Sequence, residues 1–237
     1  MNFRRTTAMQ IARKTVFGWL FFSILAGTSH AYEEDVHFIL TIFLADQAGI
    51  NEQIAYELAK YDQGTDDDPA TEPFFGGGIL SLGLTARTMF HFADVLRLNE
   101  MAVAAKKCDL KETGQFLHTA EDHFSHAGYS SIWGHLTGGH RPDIPRNAAE
   151  YASKMATSLL VELFFHKEHC PHWFSRNEEF DGHTLKQLRD TRLTPFFTHP
   201  DDGITDSKLS ALTTGEWERY KRLWNSYIDW RKSTFGN

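Results

Sequence analysis

"FLHTAEDHFSHAGYSSIWGHLTGGHRPD", residues 116–143, holds five of the chain's 13 histidines and no lysine or arginine before Arg141. Its first part reads as a helix. His118, Asp122 and His126 recur at every fourth residue, and such residues differ by about 40° around a helix axis. They form one row spanning about 80°, with consecutive side chains near enough to share a ligand. Leu117, Ala120, Phe124 and Ala127 fall on roughly the opposite side, so neither side is an ordinary solvated face. Beyond the row, "GHLTGGHRPDIP" reads as loop by its glycines and prolines.

The periodicity on either side is helical wherever it is clear. Val36, Ile39, Leu40, Phe43 and Leu44 mark one helix, ended by Gly49. Asn51 stands where an N-cap belongs, and "EQIAYELAKY" continues as the next helix. "DQGTDDDPATEPFFGGG" then reads as an acidic, turn-rich loop. A long helix is expected over residues 84–107, and Asp109 caps the one that carries the histidines. Ala152, Met155, Leu159 and Leu163 repeat at helical spacing, as do Trp217, Tyr220, Trp224 and Tyr227, an aromatic stripe that reads as core. No alternating strand pattern of useful length interrupts them. The expectation is an all-α, single-domain bundle of about six to eight helices over residues 32–237, with a histidine/aspartate metal cleft.

Residues 1–31 read as a secretory signal. Arg4, Arg5, Arg13 and Lys14 precede the apolar run "VFGWLFFSILAG", and Ser29-His30-Ala31 supplies small residues at the cleavage-determining positions. The run falls short of the roughly 20 apolar residues that span a bilayer, so no transmembrane anchor is expected after cleavage. Four basic and no acidic residues leave with the signal, taking the formal charge from −7 to −11. That balance argues against nucleic-acid binding through basic patches, sequence-specific or not. It does not exclude an enzyme that engages phosphate through metal. Export, to the periplasm or the medium, would allow Cys108 and Cys170 to pair; two buried thiols are the alternative.

Neutral imidazole nitrogen and carboxylate oxygen are ligands that a zinc-like ion accepts. A hydrogen-bonded His–Asp–His ladder or a histidine pH switch would explain an isolated pair. Three such groups in register, with His135 and His140 close behind, favour metal. A nucleophilic serine fits poorly, because "GYSSIWG" is not G-x-S-x-G and no strand precedes it. The remaining ligands must come from elsewhere, since one row cannot surround an ion. His37 faces inward on an apolar helix, and "DQGTDDD" offers four carboxylates. His91, inside "MFHFAD", is flanked by large apolar residues, where an unpaired imidazole is costly. "HKEHCPH" (residues 166–172) reads as the cationic end of a helix rather than as a second metal cluster.

An early His, a helix-ending Asp, a mid-chain His, then H-x-x-x-D and further histidines together resemble the zinc-dependent phospholipase C and single-strand nuclease superfamily. The resemblance covers roughly residues 32–145. It implies an all-α, exported protein with two or three zinc ions in a cleft, one of them bound by the N-terminal amine. "YEEDVH" sets Tyr32 and His37 at the five-residue spacing of the nucleases. The implied ligands are Tyr32, His37, an Asp of residues 62–68, His91, His118 and Asp122. Asp66 is preferred, because "YDQGTDD" is similar to a Q-x-x-D-D helix end in bacterial relatives; Asp62 is the second choice.

Three departures mark this chain. His126 follows Asp122 by four residues where the characterised enzymes place the next ligand after six. Their final H-x-x-x-D/E pair is missing, leaving His135, His140 and Asp143 as substitutes. The N-terminal aromatic is Tyr, not Trp. The resemblance therefore implies a zinc-dependent phosphoester hydrolase acting on a phospholipid or a nucleotide, with Asp66 and Asp122 at the reacting centre. The contrasting expectation is a metal-binding structural or secreted interaction protein without turnover.

Overall fold

The computed structural model describes residues 34–72, 84–126, 145–179, 181–201, 203–213 and 215–236. Among them there is no β-strand, and the architecture is all-α. An isolated bridge pairs Ile50 with Phe174.

Helix α1 begins as a π-helical stretch, Asp35–Leu40, and continues as an α-helix, Thr41–Gln47. Helix α2 spans Glu52–Asp67 and opens on Asn51, whose side chain accepts the Ile54 N–H at 3.0 Å. Helix α3 is a short turn, Leu84–Ala86, running into the π-helical Arg87–His91. Then come α4 (Val95–Ala105) and α5 (Leu110–Ser125). After a 3-10 turn at Pro145–Ala148 comes α6 (Ala149–His169). Helix α7 is compound: Gly182–Leu188, π-helical Arg189–Leu193, then Thr194–Phe197. Helices α8 (Asp206–Leu212) and α9 (Trp217–Phe235) follow.

Two sequence expectations are corrected. The helix expected over residues 84–107 is two helices, because Phe92 leaves the helical conformation and Asp94 caps a new start by accepting the Arg97 N–H at 2.8 Å. The stretch expected to loop from Asp62 onward stays helical through Asp67. Its acidic residues are not all solvated: Asp62 and Asp66, one turn apart, both face the interior. The buried Thr65 hydroxyl helps by bonding to the Tyr61 carbonyl at 2.8 Å, which keeps its polar group inside the helix.

The core lies where α1, α2, α5, α6 and α9 meet. Phe38, Ile39, Leu40, Leu58, Leu117, Met155, Leu160, Trp173 and Tyr227 are buried there. Tyr220 and Tyr227 of the aromatic stripe are buried and Trp217 and Trp224 pack against the same core. Cys108, just before the cap of α5, is disulfide-bonded to Cys170 at the end of α6. No described helix is long and apolar enough to cross a membrane.

Candidate metal centre

Helices α2 and α5 come together at a glycine. A Cβ on Gly114 would lie 2.6 Å from the Tyr61 Cβ and 2.7 Å from the Leu58 carbonyl oxygen, closer than real Cβ atoms approach. Only a residue without a side chain lets the two backbones meet so closely. One turn further along α5, His118 is thereby set against Asp62 of α2, with His118 Nδ1 3.5 Å from Asp62 Oδ1. Helix α1 contributes His37 and Thr41 from adjacent turns, and the π-helical end of α3 contributes His91.

Four carboxylates and three imidazoles are buried together: Asp62, Asp66, Glu121 and Asp122 with His37, His91 and His118. Asp122 is the hub. Its Oδ2 is 2.9 Å from His91 Nδ1 and 3.3 Å from His118 Nε2, while its Oδ1 is 3.4 Å from His37 Nε2. Asp66 stands across from it, 3.6 Å from His91 Nδ1, 3.7 Å from His118 Nε2 and 3.8 Å from His37 Nε2. Two sets of donor atoms lie within 4.8 Å of one another and could hold a metal ion: His37, Asp62 and His118, and Asp66, His91 and His118.

His91 shows how the charges are arranged. Its Nε2 is 3.0 Å from the Thr71 carbonyl oxygen, which can only accept, so Nε2 carries the proton. In the neutral ring Nδ1 then presents a lone pair to a carboxylate oxygen 2.9 Å away. Two electron-rich atoms so close need a proton or a cation beside them; His118 Nε2, 3.2 Å from the same Nδ1, can supply the proton, and a metal would serve likewise. Asp62 Oδ1, His118 Nδ1 and Asp122 Oδ1 are also buried, with only long contacts of 3.3, 3.4 and 3.5 Å between facing imidazoles and carboxylates. Buried groups of this kind are costly unless satisfied, and coordination would satisfy them. The donor set is imidazole and carboxylate, with both cysteines in the disulfide. Such residues could hold a metal ion.

Without metal, protons take the ions' place. Burial pulls the His118 imidazole down, but the Asp122 and Asp66 carboxylates together outweigh it and raise the ring to about 10. Burial likewise opposes the charge on His37, yet hydrogen bonds to Asp122, Asp62 and Glu121 lift it well above the ordinary imidazole range. Burial pushes Asp122 up, and the surrounding histidines, His118 first, hold it well below the usual carboxylate range instead. Glu121 is pushed up to about 8 by burial and by the neighbouring Asp62 charge.

The structure thus brings His37, Asp62, Asp66, His91, His118 and Asp122 into one cluster from four helices. Both candidate aspartates are present, so the choice between Asp62 and Asp66 becomes a difference in which donor set each joins. His126 joins neither set. It ends α5, with Nδ1 donating to the His91 carbonyl at 2.9 Å and its ring stacked on Phe92. His123 is half-buried, 3.0 Å from the Ala93 carbonyl oxygen. Tyr32, His135, His140 and Asp143 lie outside the described residues, as does the 1–31 segment. His166 of "HKEHCPH" is stacked on Trp173, a core residue.

Sequence reading missed Glu121, Thr41 and Thr71. Glu121 had a signal: it follows His118 by three residues, on the same side of α5, and directly precedes Asp122. Thr41 follows His37 by four, and Thr71 acts only through its backbone, which leaves no trace in a sequence. No protein-family model, curated protein or solved structure matches this chain.

Proposed function

We propose that this protein is an exported, zinc-dependent phosphoester hydrolase, acting on a phospholipid or a nucleotide. The supporting observation is the electron-rich pair at the centre of the cluster. His91, its other nitrogen committed to Thr71, turns a lone pair toward Asp122, with Asp66 and His118 around the same point. Zinc held there would supply Lewis acidity, an activated water at neutral pH and charge to stabilise phosphate oxygens. The chain's own part is to keep Asp66, His91, His118 and Asp122 rigidly in place and to exclude competing solvent. Asp66, opposite Asp122, is the group we assign to orienting the attacking water. The disulfide supports export, since such bonds persist in oxidising compartments. The signal-like residues 1–31 and the resemblance noted in the sequence point the same way.

One observation favours a second reading, a metal-stabilised protein without turnover. His37, Asp62, His118 and Asp122 are fully buried, and a structural metal site is closed where a catalytic one keeps an open position. Activity decides between them. The zinc-loaded mature protein is assayed on an activated phosphodiester, on phosphatidylcholine vesicles and on single-stranded DNA, with the Asp122→Asn variant as control. Hydrolysis that stops on chelation and is absent from the variant supports the enzyme. Zinc binding without hydrolysis of any of the three supports the structural reading.

A further inference from the structure

Among the polar groups packed around the cluster, Glu121 is the one whose position the proposed metal chemistry does not itself explain. It is fully buried and comes from α5, yet it points at α1. Its Oε2 is 2.7 Å from His37 Nδ1, and its Oε1 is 3.3 Å from the Thr41 hydroxyl. Thr41 in turn donates to Asp62 Oδ2 at 2.6 Å. Once ionised, as a metal beside His37 would favour, Glu121 can only accept from an imidazole N–H, and this contact then places the proton of His37 on Nδ1. The opposite nitrogen, Nε2, is then the one able to coordinate, and it faces Asp122 Oδ1 at 3.4 Å and Asp66 Oδ2 at 3.8 Å.

We infer that Glu121 is a positioning residue that fixes the tautomer and ring orientation of His37, so that His37 binds metal through Nε2 on the Asp66/Asp122 side. Imidazole ligands are commonly held this way, by a carboxylate on the nitrogen away from the ion. The assignment also bears on the donor set that His37 shares with Asp62 and His118. His37 Nδ1 lies 3.3 Å from Asp62 Oδ1, but with Nδ1 protonated toward Glu121 it has no lone pair for an ion beside Asp62. Thr41 serves Glu121 by tying it to Asp62 across the α1–α2 contact. The inference rests on the metal reading above, and its test separates the two.

The experiment uses mature protein labelled with 15N-histidine and loaded with Zn2+, as wild type, Glu121→Gln and Glu121→Ala. Long-range 15N–1H spectra read the tautomer and the coordinating nitrogen of His37, and chelator competition reads zinc affinity. Wild type is expected to show His37 protonated at Nδ1 and coordinated through Nε2. Glu121→Gln keeps an acceptor oxygen and should retain that tautomer with at most about a 10-fold loss of affinity. Glu121→Ala should lose the fixed tautomer and about 10- to 100-fold in affinity. Coordination of wild-type His37 through Nδ1, or a Glu121→Ala protein with unchanged tautomer and affinity, would overturn the role of Glu121 while leaving the metal reading intact. Should Glu121→Ala not fold, Glu121→Gln decides alone: a His37 protonated at Nε2 overturns the proposal. A wild type that takes up no zinc removes the metal reading itself, and the role of Glu121 with it.

Discussion

Gly114 meets Tyr61 so closely that a Cβ on the glycine would lie 2.6 Å from the tyrosine's own Cβ. This single contact sets the spacing of α2 and α5, the helices that supply Asp62, Asp66, His118, Glu121 and Asp122. Gly114→Ala should therefore separate them, because the neighbours include the Leu58 carbonyl, backbone that cannot rotate away. Overpacking of a tight contact costs about 1–3 kcal/mol. The expected result is a lowered denaturation midpoint together with weaker metal binding. Alanine also has the higher helix propensity, by about 1 kcal/mol. A stabilised Gly114→Ala protein with unchanged metal affinity would show that the close approach is not what positions the site.

Asp122→Asn keeps the shape of the hub but removes its charge and one anionic donor. Asp122 lies within 3.4 Å of all three cluster histidines. As a direct ligand its loss should weaken zinc binding by more than the 10- to 100-fold typical of a residue behind the ligands. In a metal-free hydrogen-bonded ladder the same change would cost about 1–3 kcal/mol of stability and have no metal dependence. Chelator-dependent melting of wild type and variant distinguishes the outcomes.

Much of this centre is legible in the sequence, and what is not has a physical reason. The row on α5 is visible because a helix repeats on a fixed period, so spacing alone puts His118 beside Asp122. The caps at Asn51 and Asp109 carry a residue preference that reads directly. The extension of α2 to Asp67 is not readable, because Gly, Thr and Asp disfavour helix locally and only packing against α5 and α9 overrides them. Tyr227 of α9 donates to Asp67, and Arg231 pairs with it at 3.3 Å, holding the end of α2 from outside. Nor do the π-helical turns bearing His37 and His91 have a residue signature. They redirect a side chain by one position, which no period of 3.6 anticipates.

The pH dependence of the metal-free protein has a definite sign. His37 and His118 are raised above the unfolded imidazole value of about 6.5, so the stability they contribute is full below that pH. It is lost as pH rises, for His118 through about 10. Glu121, raised to about 8, acts in the same direction between its unfolded value near 4.5 and that pH. Asp122 works oppositely, but only in acid, below its ordinary range. Metal requires the deprotonated rings, so its affinity should climb over the interval in which the metal-free fold weakens. Melting temperatures from pH 6 to 8 should thus fall without zinc, while the increment given by saturating zinc grows. Parallel curves with and without zinc would contradict the prediction.

The Cys108–Cys170 bond closes a loop of 62 residues and ties the start of α5 to the end of α6. Chain-entropy estimates for a loop of that size give about 4 kcal/mol. Cys108→Ser with Cys170→Ser should lower stability by about 2–5 kcal/mol. Because the row on α5 begins just beyond the bond, zinc affinity should also fall. A double variant that melts like wild type would show that packing alone fixes α5.

The most direct test is the metal content of the purified protein, measured with its melting temperature before and after chelation. A centre built from His37, Asp66, His91, His118 and Asp122 predicts at least one zinc ion per chain after exposure to the metal. It also predicts a melting temperature that drops on chelation and recovers when zinc is restored. A bound ion at a thousand times its dissociation constant stabilises a fold by about 4 kcal/mol, enough to move the transition by several degrees. Protein that carries no metal and melts identically with and without chelator would contradict the metal centre outright.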